Sequence, residues 1–327
     1  MEKGIKRNKQ TDPNQTENVD ISGTGSPRSS ILDPRSSILD PRSSSPVGLL
    51  AGGGRFPFAF AEKARSIGLP VVCVGLRGEA APELARLVSR FYWSGPARMG
   101  RMIRCFKREG VERVVMAGKV RKANLMHRPW KIFTLLPDWR TLRFWYVRKR
   151  RDNRDDTLLL GLIEEFAADG LRFESALDLC PELLVPPGTL TRRHLTVREQ
   201  ADVAFGWELA KEMGRLDVGQ SVAVKDRAVL AVEAIEGTDR AIARAGELCR
   251  AGGFVVVKVA KPQQDRRFDV PTVGTSTIET MYRAGGRVLA IEAEQTIVLD
   301  QAETVALADR YGICIVALDS AAAVKAA

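Results

Sequence analysis

The densest chemistry-bearing segment of the chain is Lys258-Val259-Ala260-Lys261-Pro262-Gln263-Gln264-Asp265-Arg266-Arg267-Phe268-Asp269. Lys258, Lys261, Arg266 and Arg267 are cations of the kind that offset pyrophosphate charge. Asp265 and Asp269 are carboxylates that can hold a metal ion or align a water. The next residues, Pro271 to Thr277, lead into a predicted helix whose N-terminus, with Thr275 and Thr277, suits phosphate oxygens. Cations, carboxylates and a helix N-terminus in one stretch are what metal-assisted phosphoryl transfer needs. A loop that pairs its own charges would read the same way.

A second acidic element is Glu233-Ala234-Ile235-Glu236-Gly237-Thr238-Asp239, between a predicted strand and a predicted helix. Helix capping accounts for Thr238 and Asp239. It accounts less well for Glu236, or for Glu233 in an apolar strand, so a magnesium-binding carboxylate cluster stays open. Upstream, Ala51-Gly52-Gly53-Gly54 follows one strand and precedes a helix, and Gly118-Lys119 follows another. Glycines there let backbone N–H groups approach a phosphate. A tight turn needing positive φ is equally open, because neither GxGxxG spacing nor a P-loop Lys-Ser/Thr is present.

These residues need a scaffold, and the chain is long enough for two domains, with 327 residues of which 45% are hydrophobic. Two histidines and five scattered cysteines exclude a His-rich metal centre, a zinc site of CxxC pairs and a disulfide frame. A metal here would take oxygen ligands, which favours Mg2+. No apolar run reaches the ~20 residues of a membrane span, and no secretory h-region opens the chain. A cytoplasmic protein is expected.

Strand and helix alternate from Val47. Strands are predicted at Val47–Ala51, Val71–Gly75 and Arg113–Ala117, a further one near Ser175–Leu179, and helices at Pro57–Ile67, Arg98–Glu109 and Asp155–Ala168. Residues 47–180 thus read as a Rossmann-like parallel sheet with helices. The Pro-rich stretch 181–195 reads as a linker. In 196–327, Thr196 and Glu199 form a capping box, and Lys225–Ala228 joins two strands as a hairpin. Helices at Thr238–Arg250, Thr277–Ala284 and Gln301–Arg310, strands at Phe254–Ala260 and Ile313–Leu318, and a hairpin at Val288–Leu299 complete a mixed-sheet α/β domain that carries the catalytic loop. Residues 1–46 hold a tandem PRSSILD repeat whose prolines forbid a coiled coil, and read as a disordered tail.

The net charge of +10 is confined to one place: Lys119 to Arg154 carries twelve Lys/Arg against Asp138 and Asp152. Trp130, Phe133, Trp139, Phe144, Trp145 and Tyr146 are interleaved with them. Trp139, Trp145 and Arg148 are the residues expected to dock on an anionic membrane surface. RNA binding and ordinary packing of the aromatics are the alternatives.

The motifs LLAGGGRFP, VMAGKV, AVEAIEGTD and KPQQDRRFDVPTVGTST, in order over Val47–Leu318, resemble the UDP-2,3-diacylglucosamine pyrophosphatases of lipid A synthesis, the type that is not calcineurin-like. The resemblance implies two domains with substrate held between them. It also implies Mg2+-dependent hydrolysis to UMP and 2,3-diacylglucosamine 1-phosphate, with attack at the sugar-side phosphorus. An essential aspartate of that family matches Asp269, with Asp226 and Asp239 as the other candidates. On this reading Asp269, Asp239 and Glu236 are catalytic, and Asp269, Asp239 and Asp226 are the metal candidates. Gly52, Gly53, Gly54, Lys119, Lys258, Lys261, Arg267, Thr275 and Thr277 bind substrate. The implied partners are a lipid-linked nucleotide sugar and the inner-membrane surface, with no nucleic acid and a homodimer left open. Three features depart from the family: the N-terminal extension, the long basic segment, and Glu294 where glycine is usual. Competing readings are a nucleotidyl-sugar transferase, a dinucleotide-dependent enzyme, or a non-enzymatic RNA- or membrane-binding module.

Overall fold

Continuous apolar runs become strands buried on both faces, as parallel sheets require. The computed structural model describes residues 45–120, 137–148 and 155–319, without the side chains of 147, 148 and 155–158. The repeat-bearing tail lies outside these residues. In the first half, β1 (Val47–Ala51), β2 (Val71–Leu76), β3 (Arg90–Ser94), β4 (Arg113–Ala117) and β5 (Arg172–Glu174) form one sheet in the order β3-β2-β1-β4-β5. All its pairings are parallel. Helix α1 (Phe56–Ser66) covers one face through Phe60, Ala61 and Ala64. Helices α2 (Met99–Arg108), α3 (Trp139–Arg148) and α4 (Asp155–Ala167) cover the other through Phe106, Phe144 and Phe166.

Two expectations for this half change. Arg90–Ser94 is an edge strand, which its half-exposed residues concealed. The strand expected near Ser175–Leu179 lies earlier, at β5, and Ala176–Asp178 is a 3-10 turn started by the Ser175 hydroxyl, which accepts from Leu177 N–H at 3.2 Å.

The second half contains β6 (Gly188–Thr189), α5 (Val197–Arg215), β7 (Ser221–Lys225), β8 (Ala228–Val232), α6 (Thr238–Leu248), β9 (Phe254–Lys258), β10 (Thr272–Val273), α7 (Thr275–Ala284), β11 (Gly286–Glu292), β12 (Ile297–Val298), α8 (Gln301–Tyr311) and β13 (Cys314–Leu318). Six of its strands form a mixed sheet, β6-β13-β11-β9-β7-β8. The capping box is present: the Thr196 hydroxyl accepts from Glu199 N–H at 3.3 Å, and Glu199 accepts from Thr196 N–H at 2.9 Å. Asp226 and Arg227 turn the β7–β8 hairpin with φ of 50° and 57°, and the buried Asp202 carboxylate accepts both their N–H groups.

The expected Val288–Leu299 hairpin does not form. Its first part, β11, lies parallel between β9 and β13, and its second, β12, pairs with β10 instead. Nor is 181–195 a free tether. Val185 enters the second-half core, and β6 extends the sheet antiparallel to β13. The two halves meet in an apolar seam that includes Phe56, Leu177, Val270, Ile297 and Leu299. Arg55 of the first half donates to Asp300 of the second at 2.9 Å.

Candidate active site

In an open parallel sheet, ligands gather at the carboxyl ends of strands where the strand order reverses. That point lies between β1 and β4, where Gly52–Gly54 and Gly118–Lys119 emerge side by side. The two loops are stitched together. Gly52 N–H donates to Ala117 O, Gly53 N–H to Lys119 O and Lys119 N–H to Gly53 O, each at 2.8 Å. A Cβ at Gly52 would sit 2.7 Å from Lys119 O, and one at Gly118, whose φ is 96°, would sit 2.7 Å from Gly53 O. The N–H groups of Gly52 and Gly53, expected on phosphate, are therefore occupied, and these glycines serve close approach of two loops. Gly54 differs: its φ is 93°, it is exposed, and a Cβ there would meet nothing within 4 Å. Gly118→Ala combines an unfavourable φ with a backbone clash, so a loss of ~1–3 kcal/mol is expected in urea unfolding. An unchanged midpoint would contradict this account.

The second half brings its chemistry to one sheet edge. Ser221 lies opposite Lys258 in the β7–β9 ladder, and Glu233 N–H donates to Ser221 O at 2.8 Å. Lys258, only 4% exposed, donates to Thr238 Oγ1 at 2.9 Å and to Thr272 O at 3.1 Å. Thr238 Oγ1 in turn donates to Glu233 Oε1 at 2.9 Å. Glu233 Oε2 is buried with no hydrogen-bond partner among the described residues. Burial lowers the Lys258 pKa below its ordinary value; Glu233, Asp239 and Asp269 oppose that shift, while Lys119 of the first half adds to it. Lys119 is exposed, whereas Lys258 stands behind the surface with its Nζ donating to Thr238 and Thr272 rather than open to a phosphate.

The loop after β9 is tied at both ends. Lys261 pairs with Asp217 at 2.7 Å and with Asp269 at 3.3 Å. Phe268 packs on the first-half core, Ser175 Oγ donates to Arg266 O at 3.0 Å, and Arg266 donates to Glu294 O at 2.7 Å. Glu294 has φ of 57°, the conformation that explains why glycine suits this turn. Sequence reading did not single out Lys211 and Glu292, which grip the loop's root. The buried Glu292 carboxylate accepts from Lys211 Nζ at 2.7 Å on both oxygens and from Ala260 N–H at 2.7 Å, while Lys211 also donates to Ala260 O at 3.2 Å. Glu292 ends an apolar strand, a signal that could have marked it. Lys211 on α5 gave none.

Several expected residues sit elsewhere. Glu236 pairs with Arg244, nearly two turns into α6, at 2.6 Å, so its carboxylate is engaged by the helix that follows. Asp226 is in the β7–β8 turn, at the end of β7 away from Ser221 and Lys258, so it cannot share a metal with Asp239. Arg267 is held by Asp265 through Nε at 2.9 Å and Nη2 at 2.5 Å, a contact that lowers the Asp265 pKa. Thr277 is buried inside α7, and Thr275 is half-buried at its start. Trp145 is half-buried and packs against the first-half core, Trp139 is 79% exposed, and the Arg148 side chain lies outside the described residues. Burial pushes the Cys73 and Cys180 thiols up to about 12, as suits inert structural cysteines.

No group of three His, Cys, Asp or Glu able to hold a metal occurs among the described residues. Asp239 and Asp269 lie near enough to Lys258 to oppose the effect of its burial.

The family model described as LpxI N-terminal domain matches residues 46–183, and that described as LpxI C-terminal domain matches 186–316. The chain is 32% identical over 283 residues to the UDP-2,3-diacylglucosamine pyrophosphatase LpxI of Caulobacter vibrioides, covering 84% of this chain and 97% of the relative. Among solved structures, the biotin carboxylase subunit of pyruvate carboxylase aligns at 12% identity with a TM-score of 0.23, over 63% of this chain and 40% of that one, and carries no argument.

Proposed function

Because the chain belongs to the LpxI family, both of whose domains it carries in order, we propose that it hydrolyses the pyrophosphate of UDP-2,3-diacylglucosamine to UMP and 2,3-diacylglucosamine 1-phosphate in lipid A biosynthesis. The observation that carries this reading is the convergence of charge from both halves on one place: Lys119, next to the Gly53 bridge of the first half, and Asp239 and Asp269 of the second all lie near enough to act on the charge of Lys258. A diphosphate held there would be gripped by both halves, as a substrate bound between two domains demands.

The mechanism follows from these positions. Lys119 faces solvent and takes the phosphate charge directly, while buried Lys258 supplies a positive field from behind and holds Thr238 and the Thr272 carbonyl in place. Asp239 and Asp269 would hold Mg2+, which when bound supplies charge neutralisation of the diphosphate. Asp269 orients a water in line with the scissile bond. The water oxygen bonds to the sugar-side phosphorus, its proton passes to the Asp269 carboxylate, and the bond from that phosphorus to the bridging oxygen breaks. UMP leaves with the bridging oxygen. Lys261, bridging Asp217 and Asp269, fixes the orientation of the Asp269 carboxylate. Since the substrate carries two acyl chains, the enzyme works as a peripheral protein at the cytoplasmic face of the inner membrane. No helix among the described residues is long and apolar enough to cross it.

The test is incubation of the full chain with UDP-2,3-diacylglucosamine and Mg2+, with and without chelator. UMP and the lipid monophosphate should appear only with the metal. Turnover that persists undiminished in chelator would remove Mg2+ from the mechanism, and no turnover at all would remove the function.

A further inference from the structure

Helix α3 is amphipathic twice over. Its inner face packs through Phe144 and Trp145, and Thr141 Oγ1 accepts from Met99 N–H of α2 at 3.1 Å. Its outer face carries Trp139, Leu142 and Tyr146, at i, i+3 and i+7, which are 79%, 42% and 70% exposed. That spacing puts them on one stripe. Monomeric surfaces scatter large apolar residues singly, and a contiguous stripe that includes an exposed Trp and Tyr marks a surface meant to be covered.

The charge around the stripe names the cover. α2, which packs beside α3, has four basic residues and no acidic one, and Arg101, Arg104, Lys107 and Arg108 are all exposed. Arg143 is 63% exposed beside the stripe. A cleft of about 590 Å3 runs between the two helices, with Arg104, Lys107 and Trp139 among its lining. The acids in that cleft are already engaged. Asp138 caps the start of α3, accepting from Thr141 N–H at 3.0 Å, and Asp169 pairs with Arg140. Trp, Leu and Tyr in a row flanked by cations match the boundary between acyl chains and anionic headgroups, where amphipathic aromatics and Lys/Arg both gain. The helix that carries the stripe and the loop after β9 lean on one core: Trp145 of α3 and Phe268 both pack against the same first-half cluster.

We infer that the Trp139–Leu142–Tyr146 stripe and the basic face of α2 form the surface by which this protein docks on an anionic lipid bilayer. The inference rests on the lipid-nucleotide reading above. It assigns docking to Trp139 and Tyr146 in place of Trp145, and brings in α2, outside the segment where sequence concentrated the charge.

The experiment uses the full chain and vesicles of equal parts phosphatidylglycerol and phosphatidylethanolamine, with phosphatidylcholine vesicles as control. The wild type should co-sediment with the anionic vesicles alone. Arg104→Glu with Lys107→Glu should weaken binding by roughly 30-fold or more, given the contribution of each cation near such a surface. Trp139→Ala with Tyr146→Ala should weaken it by about tenfold. All four side chains are exposed and the one ion contact among them, Lys107 with Asp169 at 3.8 Å, is weak, so thermal unfolding should move by no more than a few degrees, and hydrolysis of substrate in detergent micelles should stay at wild-type level while hydrolysis in vesicles falls. Wild-type vesicle binding by both variants overturns the assignment, as does binding of the wild type to RNA and not to vesicles. If the chain turns over micellar substrate yet ignores vesicles, docking fails and the activity stands; vesicle binding without turnover has the opposite meaning.

Discussion

Replacing Asp269 by Asn lowers kcat by roughly 10²–10⁴-fold, the range expected when a positioned proton-accepting group is lost, and leaves stability almost untouched. The carboxylate is partly exposed and pairs with Lys261 at 3.3 Å, a contact that contributes no more than ~1 kcal/mol. Lys261 retains Asp217 at 2.7 Å in the variant. Activity and unfolding midpoint therefore separate, as they should for a residue whose purpose is chemistry. Glu236→Gln is the matched control. Its partner is Arg244, which also donates to Val232 O at 2.8 Å, so the change affects a helix start and leaves kcat within a few-fold of wild type. Steady-state kinetics on both variants, with melting curves, decide the matter. Near-wild-type kcat for Asp269→Asn, or a large loss for Glu236→Gln, would reverse the roles given to the two carboxylates.

Much of this contrast is invisible in the sequence, for a physical reason. Local rules act over a few residues. They located β1, β2, β4 and β9 from apolar runs, the start of α5 from its capping box, and the β7–β8 turn from its polar dipeptide. They also marked Lys258–Asp269 as the chemical segment. Pairings between distant residues follow no such rule. Whether Lys258 is a surface cation or a buried one tied to Thr238 depends on how β7, β9 and α6 converge. The edge strand β3 lacked an apolar run because one side of it faces outward. The glycine turn misled for a related reason: a glycine that lets a ligand approach and one that lets a neighbouring loop approach read alike, and only the Gly53–Lys119 bridge tells them apart.

Glu292 and Lys211 extend that argument into a prediction about a pair the sequence did not reveal. Ala260 is where the chain leaves β9 for the catalytic loop, and both of its backbone polar groups are held, N–H by Glu292 and carbonyl by Lys211. Lys211→Met takes the Lys211 ammonium away from both oxygens of the buried Glu292 carboxylate, which costs up to about 3–5 kcal/mol. Glu292→Gln keeps an acceptor for Ala260 N–H and so is milder, near the lower end of that range. Replacing both by methionine removes the two charges together, and stability should recover most of the way, since an apolar pair of similar volume is often as stable as a buried ion pair. Catalysis should not recover with it. The Ala260 N–H then has no acceptor, the loop root shifts, and Asp269 with it; a displacement of about 1 Å can cost ~10²-fold in kcat. Lys211→Arg should retain part of the activity because a cation still spans Glu292 and the carbonyl. The informative comparison is the double variant, read by kcat against KM and by unfolding midpoint. A double variant that regains both stability and kcat would reduce the pair to an ordinary internal salt bridge, whereas regained stability at depressed kcat makes Ala260 the hinge point through which the second sheet sets the position of Asp269.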